Sequence, residues 1–356
     1  MNYDAILVVS FGGPEAPADV IPFLENVLRG KNVPRERLLT VADHYHHFDG
    51  KSPINQQTRD LIAALERELA QHDQKTHDSK QQGPKLPVYW GNRNWHPMLA
   101  ETLQQMKQDG IRRALAFVTS AYSSYSGCRQ YRENIIAAQN EVGAGAPEID
   151  KLRAFFNHPG FIEATDERLR EALQKVPADA RKNVQIIYIA HSIPLAMANT
   201  CDYVRQLEEV RKLASAGLGI TNDALVFQSR SGVPGQPWLD PDILDYLRHV
   251  KARDLASAVV LAPISFISDH MEVLYDLDIE AQQLCDSLSL PMVRAKTVGL
   301  HPKFVAMIRE LILERTSGVE RRFVGSLGPR PDVCEENCCP APQRPVRPQV
   351  AGTRGV

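Results

Sequence analysis

A histidine stands at the end of an apolar run in the middle of the chain. Residues 184–190 read VQIIYIA, and His191, Ser192 and Pro194 follow. A short run rich in β-branched residues and closed by a turn signal predicts a central parallel strand. In open α/β sheets, ligands bind at the carboxyl ends of such strands. An imidazole placed there can accept a proton or bind a metal near neutral pH, or it can simply hydrogen-bond a neighbouring loop.

A row of carboxylates follows a second apolar run, AVVLAPI. Glu272, Asp276 and Glu280 are spaced four residues apart, so a helix would place all three on one face. Asp269 and His270 stand just before that face. Stacked carboxylates repel one another, and a divalent cation with oxygen ligands would relieve the repulsion. A solvent-exposed acidic helix face is the alternative interpretation of the same spacing.

The cysteines are distributed unevenly. Cys334, Cys338 and Cys339 crowd into the segment DVCEENCCP, whereas the other three are scattered through the body of the chain. We expect no secretory signal at the N-terminus, and clustered cysteines then favour a metal or iron–sulfur site over disulfides. A [2Fe–2S] cluster needs a fourth ligand from the body of the chain, and zinc bound by four thiolates is the alternative.

Strands and helices alternate from end to end, which predicts an α/β protein with mostly parallel sheets. The predicted strands are 5–10, 86–91, 113–119, 184–190, 225–229, 258–263 and 292–295. A strand, a turn of small residues and a helix occur in that order at 5–14 and again at 184–194, which predicts two similar lobes with a cleft between them. We expect these regions: an N-terminal lobe over 1–160, a C-terminal lobe over 161–300, a helix within 301–320 and a Pro/Cys-rich tail over 321–356.

The composition is that of a soluble globular protein. Of the 356 residues 43% are hydrophobic and 24% are charged, and the formal net charge is −2. This charge gives no electrostatic argument for a nucleic-acid partner. No stretch approaches the about 18 to 20 apolar residues of a membrane helix. We therefore expect a cytoplasmic protein without a transmembrane segment.

Seven motifs follow one another along the chain: SFGGPE, HYHHFDGKSPIN, YWGNRNWHP, SAYSSYSGCRQY, AHSIP, QSRSGVPGQPWLDP and SFISDHMEVLYDLD. They occur in the order found in ferrochelatases, and the chain resembles that family. The resemblance extends from residue 3 to about residue 315 and resumes in the cysteine tail, as in the bacterial coproporphyrin ferrochelatases with a C-terminal cysteine motif. It implies two Rossmann-like, chelatase-type lobes with parallel sheets flanked by helices and a porphyrin cleft between them.

The resemblance also implies the reaction, which is insertion of Fe²⁺ into a porphyrin in haem biosynthesis. Coproporphyrin III is the expected substrate. Protoporphyrin IX is the alternative substrate, and a non-catalytic haem-binding or haem-transfer protein on the same scaffold is the alternative from another class. A monomer with transient contacts to neighbouring enzymes of the haem pathway is expected.

Roles for individual residues are implied by the same resemblance. His191 would project into the cleft as proton acceptor or metal ligand, with Glu272 facing it. Asp276 and Glu280 would form an acidic path for protons or hydrated metal. The expected porphyrin-binding residues are Phe11, Arg29, Tyr45, Ser52 and Tyr122. Phe11 replaces a tyrosine found in some relatives, which weakens the case for an axial phenol ligand.

The resemblance places the fourth cluster ligand at Cys128, within SYSGCRQY. Cys128, Cys334, Cys338 and Cys339 are therefore the expected ligands of a [2Fe–2S] cluster, with structural zinc as the alternative. The two remaining cysteines are expected to be free thiols.

Overall fold

The computed structural model describes residues 2–30, 33–75, 86–231 and 235–341, with residues 72–75 described by their helical backbone alone. Eight strands of this part of the chain form two parallel sheets. The first sheet has the order β2-β1-β3-β4 and consists of β1 (Ala5–Ser10), β2 (Val88–Asn92), β3 (Arg113–Val118) and β4 (Glu148–Lys151). The second has the order β6-β5-β7-β8 and consists of β5 (Val184–His191), β6 (Asp223–Gln228), β7 (Ala258–Ala262) and β8 (Met292–Arg294).

The central strands β1 and β5 explain why the apolar runs are so clear in the sequence. Val8 of β1 lies opposite Trp90 on one side and Phe117 on the other. All six residues of β1 are buried, as are the six internal residues of β5. Parallel strands covered by helices on both faces are apolar throughout, and this pattern identifies them in a sequence.

Strand β4 was missed by the sequence prediction. Its four residues, EIDK, are charged or partly exposed, and β4 pairs only with β3 at the edge of the first sheet. A short edge strand of this composition has no apolar run and no alternation over a useful length. The seven predicted strands are present, with their ends displaced by at most two residues.

Helices flank both sheets. The α-helices are α1 (Val20–Leu28), α2 (Arg35–His46), α3 (Ile54–Lys75), α4 (Leu99–Gln108), α5 (Gln130–Val142), α6 (Pro159–Leu173), α7 (Leu195–Ala198), α8 (Tyr203–Leu218), α9 (Ile243–Ala252), α10 (Met271–Val273), α11 (Gln282–Ser287) and α12 (Pro302–Thr316). Helix α12 packs against both α3 and α6. The largest apolar core includes buried residues of both sheets, such as Val8 and Tyr188, so the two halves share one interior. No described helix is both long enough and apolar enough to cross a membrane.

Two segments are π-helices, in which the backbone hydrogen bonds run from i to i+5. The first π-helix (Tyr125–Arg129) leads into α5, and the second π-helix (Leu274–Ala281) connects α10 to α11. The spacing of the acidic row predicted an ordinary helix there. The carboxylates at positions 276 and 280 therefore lie on a wider turn than the sequence suggested.

After α12 the chain crosses α8 and returns to the first sheet. Glu209 of α8 accepts hydrogen bonds from the backbone of residues 326 and 327, and Arg330 binds Asp202 at 2.8 Å. Near the end of the described chain, Arg129 donates to the carbonyl oxygen of Cys338 at 3.3 Å. The tail cysteines are thereby brought to the first π-helix.

Candidate active site

His191 ends β5, and its backbone and side chain are both held. Its amide donates to Ser265 Oγ at 3.0 Å, and its carbonyl oxygen accepts from Tyr203 Oη at 3.0 Å. The ring nitrogen Nδ1 lies 2.5 Å from the carbonyl oxygen of Ser192. A carbonyl oxygen can only accept, so Nδ1 must carry the proton. The other nitrogen, Nε2, then presents a lone pair whenever the ring is neutral.

Glu272 faces that lone pair. Its Oε2 lies 3.5 Å from His191 Nε2, and its side chain is 47% exposed. The amide of Glu272 donates to His270 Nδ1 at 3.2 Å, so His270 caps the short helix α10. Burial lowers the pKa of His270 and favours the neutral ring that this cap requires. A base at the end of β5 and a carboxylate on α10 therefore meet at one point.

Asp276 is partly buried, whereas Glu272 is exposed. Burial raises the pKa of Asp276 to about 7, with the charges of Glu272 and Glu280 adding to the effect. Its Oδ2 accepts from Gln228 Nε2 at 3.1 Å and from the hydroxyl of Ser229. Ser229 has φ of +59°, a left-handed conformation that costs free energy in a non-glycine residue and aims its hydroxyl at the carboxyl.

Glu280 completes the acidic row in a half-buried position. Burial raises its pKa, and the nearby charge of Asp242 raises it further. The row therefore runs from the exposed Glu272 to the partly buried Asp276 and Glu280. A fully solvent-exposed acidic face would not shield two of its three members. A carboxyl that titrates near pH 7 can take up and release protons under physiological conditions.

Phe11 and Tyr45 belong to one apolar cluster beside this site. Their rings both pack edge-on against Phe23, at 6.3 Å and 5.7 Å between centroids. Buried Met271, which immediately precedes Glu272, is part of the same cluster. Burial, and after it the charge of Glu272, raises the pKa of the Tyr45 hydroxyl. The structure thus brings these two predicted porphyrin-binding residues close to the acidic row.

The other three predicted porphyrin-binding residues are dispersed. Arg29 is exposed at the end of α1 and donates to Asn26 Oδ1 at 2.5 Å. Ser52 is buried, and its hydroxyl accepts from the amide of Ile54 at 3.5 Å. Tyr122 is 2% exposed, and its hydroxyl donates to the carbonyl oxygen of Ile264 at 2.9 Å. This bond ties the loop after β3 to the loop after β7.

Two histidines that were not among the predicted site residues, His44 and His47, pack against the second π-helix. The ring of His44 on α2 stacks on Tyr275 of the second π-helix at 3.8 Å, and His47 packs edge-on against the same tyrosine. Burial lowers the pKa of His44. Two stretches of the sequence could have pointed to these contacts. One is HYHHFD with its three histidines, and the other is QSRS, which contains Gln228 and Ser229, the partners of Asp276.

A cavity of about 230 Å³ lies between the two sheets, next to the loop that leads to Glu272. The first half contributes Ser10, Thr58 and Thr119 to its wall. The second half contributes Asp269 and Thr297. Since Ser10 ends β1 and Thr119 follows β3, this space lies at the carboxyl ends of the strands, where α/β sheets bind ligands.

The four predicted cluster ligands lie in two pairs near the first π-helix. The thiols of Cys128 and Cys334 are hydrogen-bonded, which lowers the pKa of Cys128 and raises that of Cys334. Lys151 also lowers the pKa of Cys128. The sulfur atoms of Cys338 and Cys339 are 3.5 Å apart. Within residues 2–30, 33–75, 86–231 and 235–341, no three His, Cys, Asp or Glu side chains are arranged as a metal site.

Comparison with known proteins identifies close relatives. The family model described as Ferrochelatase matches residues 3–316. A protein of Rhodopirellula baltica named ferrochelatase is 53% identical over 99% of this chain and 97% of its own length. A coproporphyrin III ferrochelatase of Streptomyces coelicolor is 48% identical over 98% of this chain and 96% of its own length.

A solved structure of the sirohydrochlorin chelatase from Bacillus subtilis subspecies spizizenii, in complex with cobalt, shares the fold. Its TM-score is 0.52 at 11% identity, and the match covers 89% of this chain and 97% of that one. The two parallel sheets with flanking helices are therefore a chelatase-type fold, as the resemblance implied.

Proposed function

The chain belongs to the ferrochelatase family and is an enzyme of that family, and we propose that the porphyrin into which it inserts ferrous iron is coproporphyrin III. The Streptomyces relative is named for that porphyrin. Relatives of the same name from Nocardia farcinica and Frankia alni are 46% and 47% identical. The Rhodopirellula protein is named for the reaction alone, so the choice of porphyrin needs support from the chain itself.

The polar surface of α1 provides such support. Val20, Phe23 and Leu24 face the interior, which turns Glu25 and Arg29 outward. Lys31, which extends this polar pattern in the sequence, lies outside the described residues. Coproporphyrin carries four propionates, whereas protoporphyrin carries two and is more apolar. A polar surface on α1 suits a substrate that reaches the site through water.

The observation that carries the proposed insertion of iron is the orientation of His191. Metal insertion releases two protons from pyrrole nitrogens, and an unprotonated imidazole nitrogen can accept one. Donation from Nδ1 to Ser192 leaves Nε2 as that acceptor. Glu272, 3.5 Å away, would stabilise the imidazolium that forms. Asp276 and Glu280 would pass the proton onward, because burial raises the pKa of both carboxyls.

The same geometry suggests roles for the other predicted residues. Phe11 and Tyr45 would form an apolar wall of the porphyrin site, since both belong to the cluster that reaches Met271. Arg29, exposed at the end of α1, would bind a propionate. Ser52 would donate its hydroxyl proton to a propionate, because the hydroxyl oxygen only accepts in its bond with the amide of Ile54. Tyr122 would act by keeping the two halves in register, because its hydroxyl is already bonded to Ile264.

We also propose that Cys128, Cys334, Cys338 and Cys339 hold a [2Fe–2S] cluster, with zinc as the alternative. Four thiols in one region are the donor set that either metal centre requires, and a thiol of lowered pKa such as Cys128 readily forms the thiolate ligand. Binding would draw the two thiol pairs together around one centre. All six cysteines are free, which fits a reducing compartment such as the cytoplasm.

The experiment that tests the substrate is anaerobic insertion of Fe²⁺, with coproporphyrin III and protoporphyrin IX supplied in parallel. We expect kcat/KM to be higher for coproporphyrin III by at least about tenfold. Arg29→Gln should narrow that preference, and Arg248→Gln, which alters an exposed arginine on α9, should leave it unchanged. A preference for protoporphyrin IX would refute the substrate assignment, and insertion into neither would contradict the reaction.

A further inference from the structure

Arg294, the last residue of β8, joins the two ends of the segment that carries Glu272 and Asp276. Its Nη1 lies 2.7 Å from Asp269 Oδ1, three residues before Glu272. Its Nε and Nη2 lie 2.5 Å and 2.8 Å from the two carboxylate oxygens of Asp278, two residues after Asp276. The side chain of Arg294 is only 13% exposed. Arg294 thus forms a bidentate ion pair with Asp278 and a single hydrogen bond with the side chain of Asp269.

We propose that Arg294 is a positioning residue for metal insertion, which fixes the second π-helix and thereby the approach of Glu272 to His191. Its activity readout rests on the function proposed above. All three guanidinium nitrogens already donate to acceptors of the protein, including the carbonyl oxygen of Ala295. Arg294 is therefore committed to the protein and acts through the residues it holds.

The segment needs such support because its own helical structure is weak. A π-helix has wide turns and is usually limited to a single turn, and α10, which precedes it, has three residues. Glu272 lies in α10, before the π-helix begins. Its carbonyl oxygen accepts from Gln228 Nε2 at 3.2 Å, and Arg294 holds the chain on both sides of it at once.

Asp269 connects this arrangement to the first half of the molecule. Its Oδ1 also accepts from the amide of Thr297 at 3.3 Å. Its carbonyl oxygen accepts from Gln57 Nε2 of α3 at 3.1 Å. The Arg294–Asp269 contact is thus part of a chain of bonds that runs from β8 to a helix of the first sheet. A displaced π-helix would move Glu272 relative to His191, whose own position is fixed by Ser265 and Tyr203.

The test compares Arg294→Gln and Arg294→Lys with Arg248→Gln, which removes an exposed ion pair with Asp245 on α9. We expect Arg294→Gln to lower kcat for Fe²⁺ insertion by about 10- to 100-fold, the usual cost of losing a residue that orients a reacting group. The KM for porphyrin should change by less than about threefold, because the apolar wall is untouched. Arg294→Lys keeps the positive charge but cannot form the two paired bonds with Asp278. Its kcat should therefore exceed that of Arg294→Gln by less than about tenfold.

Hydrogen exchange of the backbone separates positioning from general stability. In Arg294→Gln the amides of 274–281 should exchange faster while those of β5 and β7 keep their protection. Arg248→Gln should change neither exchange nor kcat. If Arg294→Gln does not fold, Asp278→Ala removes only the two bonds to Asp278 and should lower kcat by about three- to tenfold.

Wild-type kcat in a folded Arg294→Gln protein would overturn the proposal, and so would faster exchange throughout the core. If the wild-type enzyme inserted iron into no porphyrin, the proposed function would fail. Exchange at 274–281 would then decide the positioning claim by itself, since an unchanged π-helix in Arg294→Gln would refute it.

Discussion

The two sheets have the same strand order, but their corresponding strands lead into segments of different chemistry. In each sheet the first strand in sequence lies between the second and the third, and the fourth is at the edge. A π-helix comes after the third strand in both halves, as Tyr125–Arg129 in one and Leu274–Ala281 in the other. The first carries Cys128 and the second carries Asp276 and Glu280. The same scaffold feature thus carries a thiol in one half and carboxyls in the other.

The ends of the first strands differ in the same sense. FGGP, which ends at Pro14, comes after β1, and HSIP, which ends at Pro194, closes β5. Phe11 and His191 therefore occupy corresponding positions, three residues before a proline. Phe11 packs into an aromatic cluster, whereas His191 presents a ring nitrogen to Glu272. The comparison suggests that the first half supplies the wall of the site and the second half its chemistry.

The largest effect on catalysis should come from replacing His191, and replacement of Phe11 is the comparison. His191→Ala should lower kcat for Fe²⁺ insertion by about 10³-fold, because it would remove the proposed proton acceptor, while porphyrin still binds. Phe11→Leu keeps an apolar wall and should cost less than about tenfold. Anaerobic initial rates and porphyrin absorbance titrations measure both. Equal losses in the two variants would break the division between wall and chemistry.

The next largest effect is expected from replacing Cys128 on the first π-helix, with a cysteine of the second half as its control. With a [2Fe–2S] cluster, the purified enzyme should be coloured and contain about two irons per chain before substrate is added. Cys128→Ser should bleach the protein and expose residues 325–341 to protease, because metal binding contributes folding free energy to the tail.

Cys285→Ala, in the second half, is the matched control for that experiment and should change neither colour nor cleavage, since Cys285 lies in the apolar core of its own sheet. Colourless wild-type protein with about one zinc per chain would replace the cluster by a zinc site. A coloured Cys128→Ser protein would mean that the fourth ligand lies elsewhere.

The smallest effect is on stability, and it depends on pH. Burial raises the pKa of Asp276 from 3.8 to about 7, so the folded state holds a proton that the unfolded chain releases at lower pH. The wild-type enzyme should therefore lose stability as pH rises from about 4 to about 7, because the unfolded state binds fewer protons there. Asp276→Asn lacks this slope and should have the higher Tm at pH 8.

The gain at pH 8 should be about 2 to 4 °C for each kcal/mol recovered, with little difference from wild type at pH 4. Asp245→Asn, which removes an exposed carboxylate on α9, should leave the pH profile of Tm unchanged. Parallel profiles for the wild-type protein and Asp276→Asn would show that Asp276 is ionised in the folded enzyme.

The sequence by itself determined seven of the eight described strands, the family and the position of His191. Apolar runs such as 184–190 are visible because both faces of a central parallel strand are buried, and Pro194 marks where the strand must end. The acidic spacing also identified Glu272, Asp276 and Glu280 as a set. These are local patterns, and local propensity is enough to produce them.

Only the tertiary structure decided how those residues differ from one another. Asp276 is partly shielded from solvent and accepts hydrogen bonds from Gln228 and Ser229, nearly fifty residues earlier, and Arg294 holds its helix from another strand. The π-helix itself depends on a backbone hydrogen-bond register that side-chain periodicity does not record. Edge strand β4 has no apolar pattern to reveal it. A sequence shows which groups are available, but burial and pKa are set by neighbours that are distant along the chain.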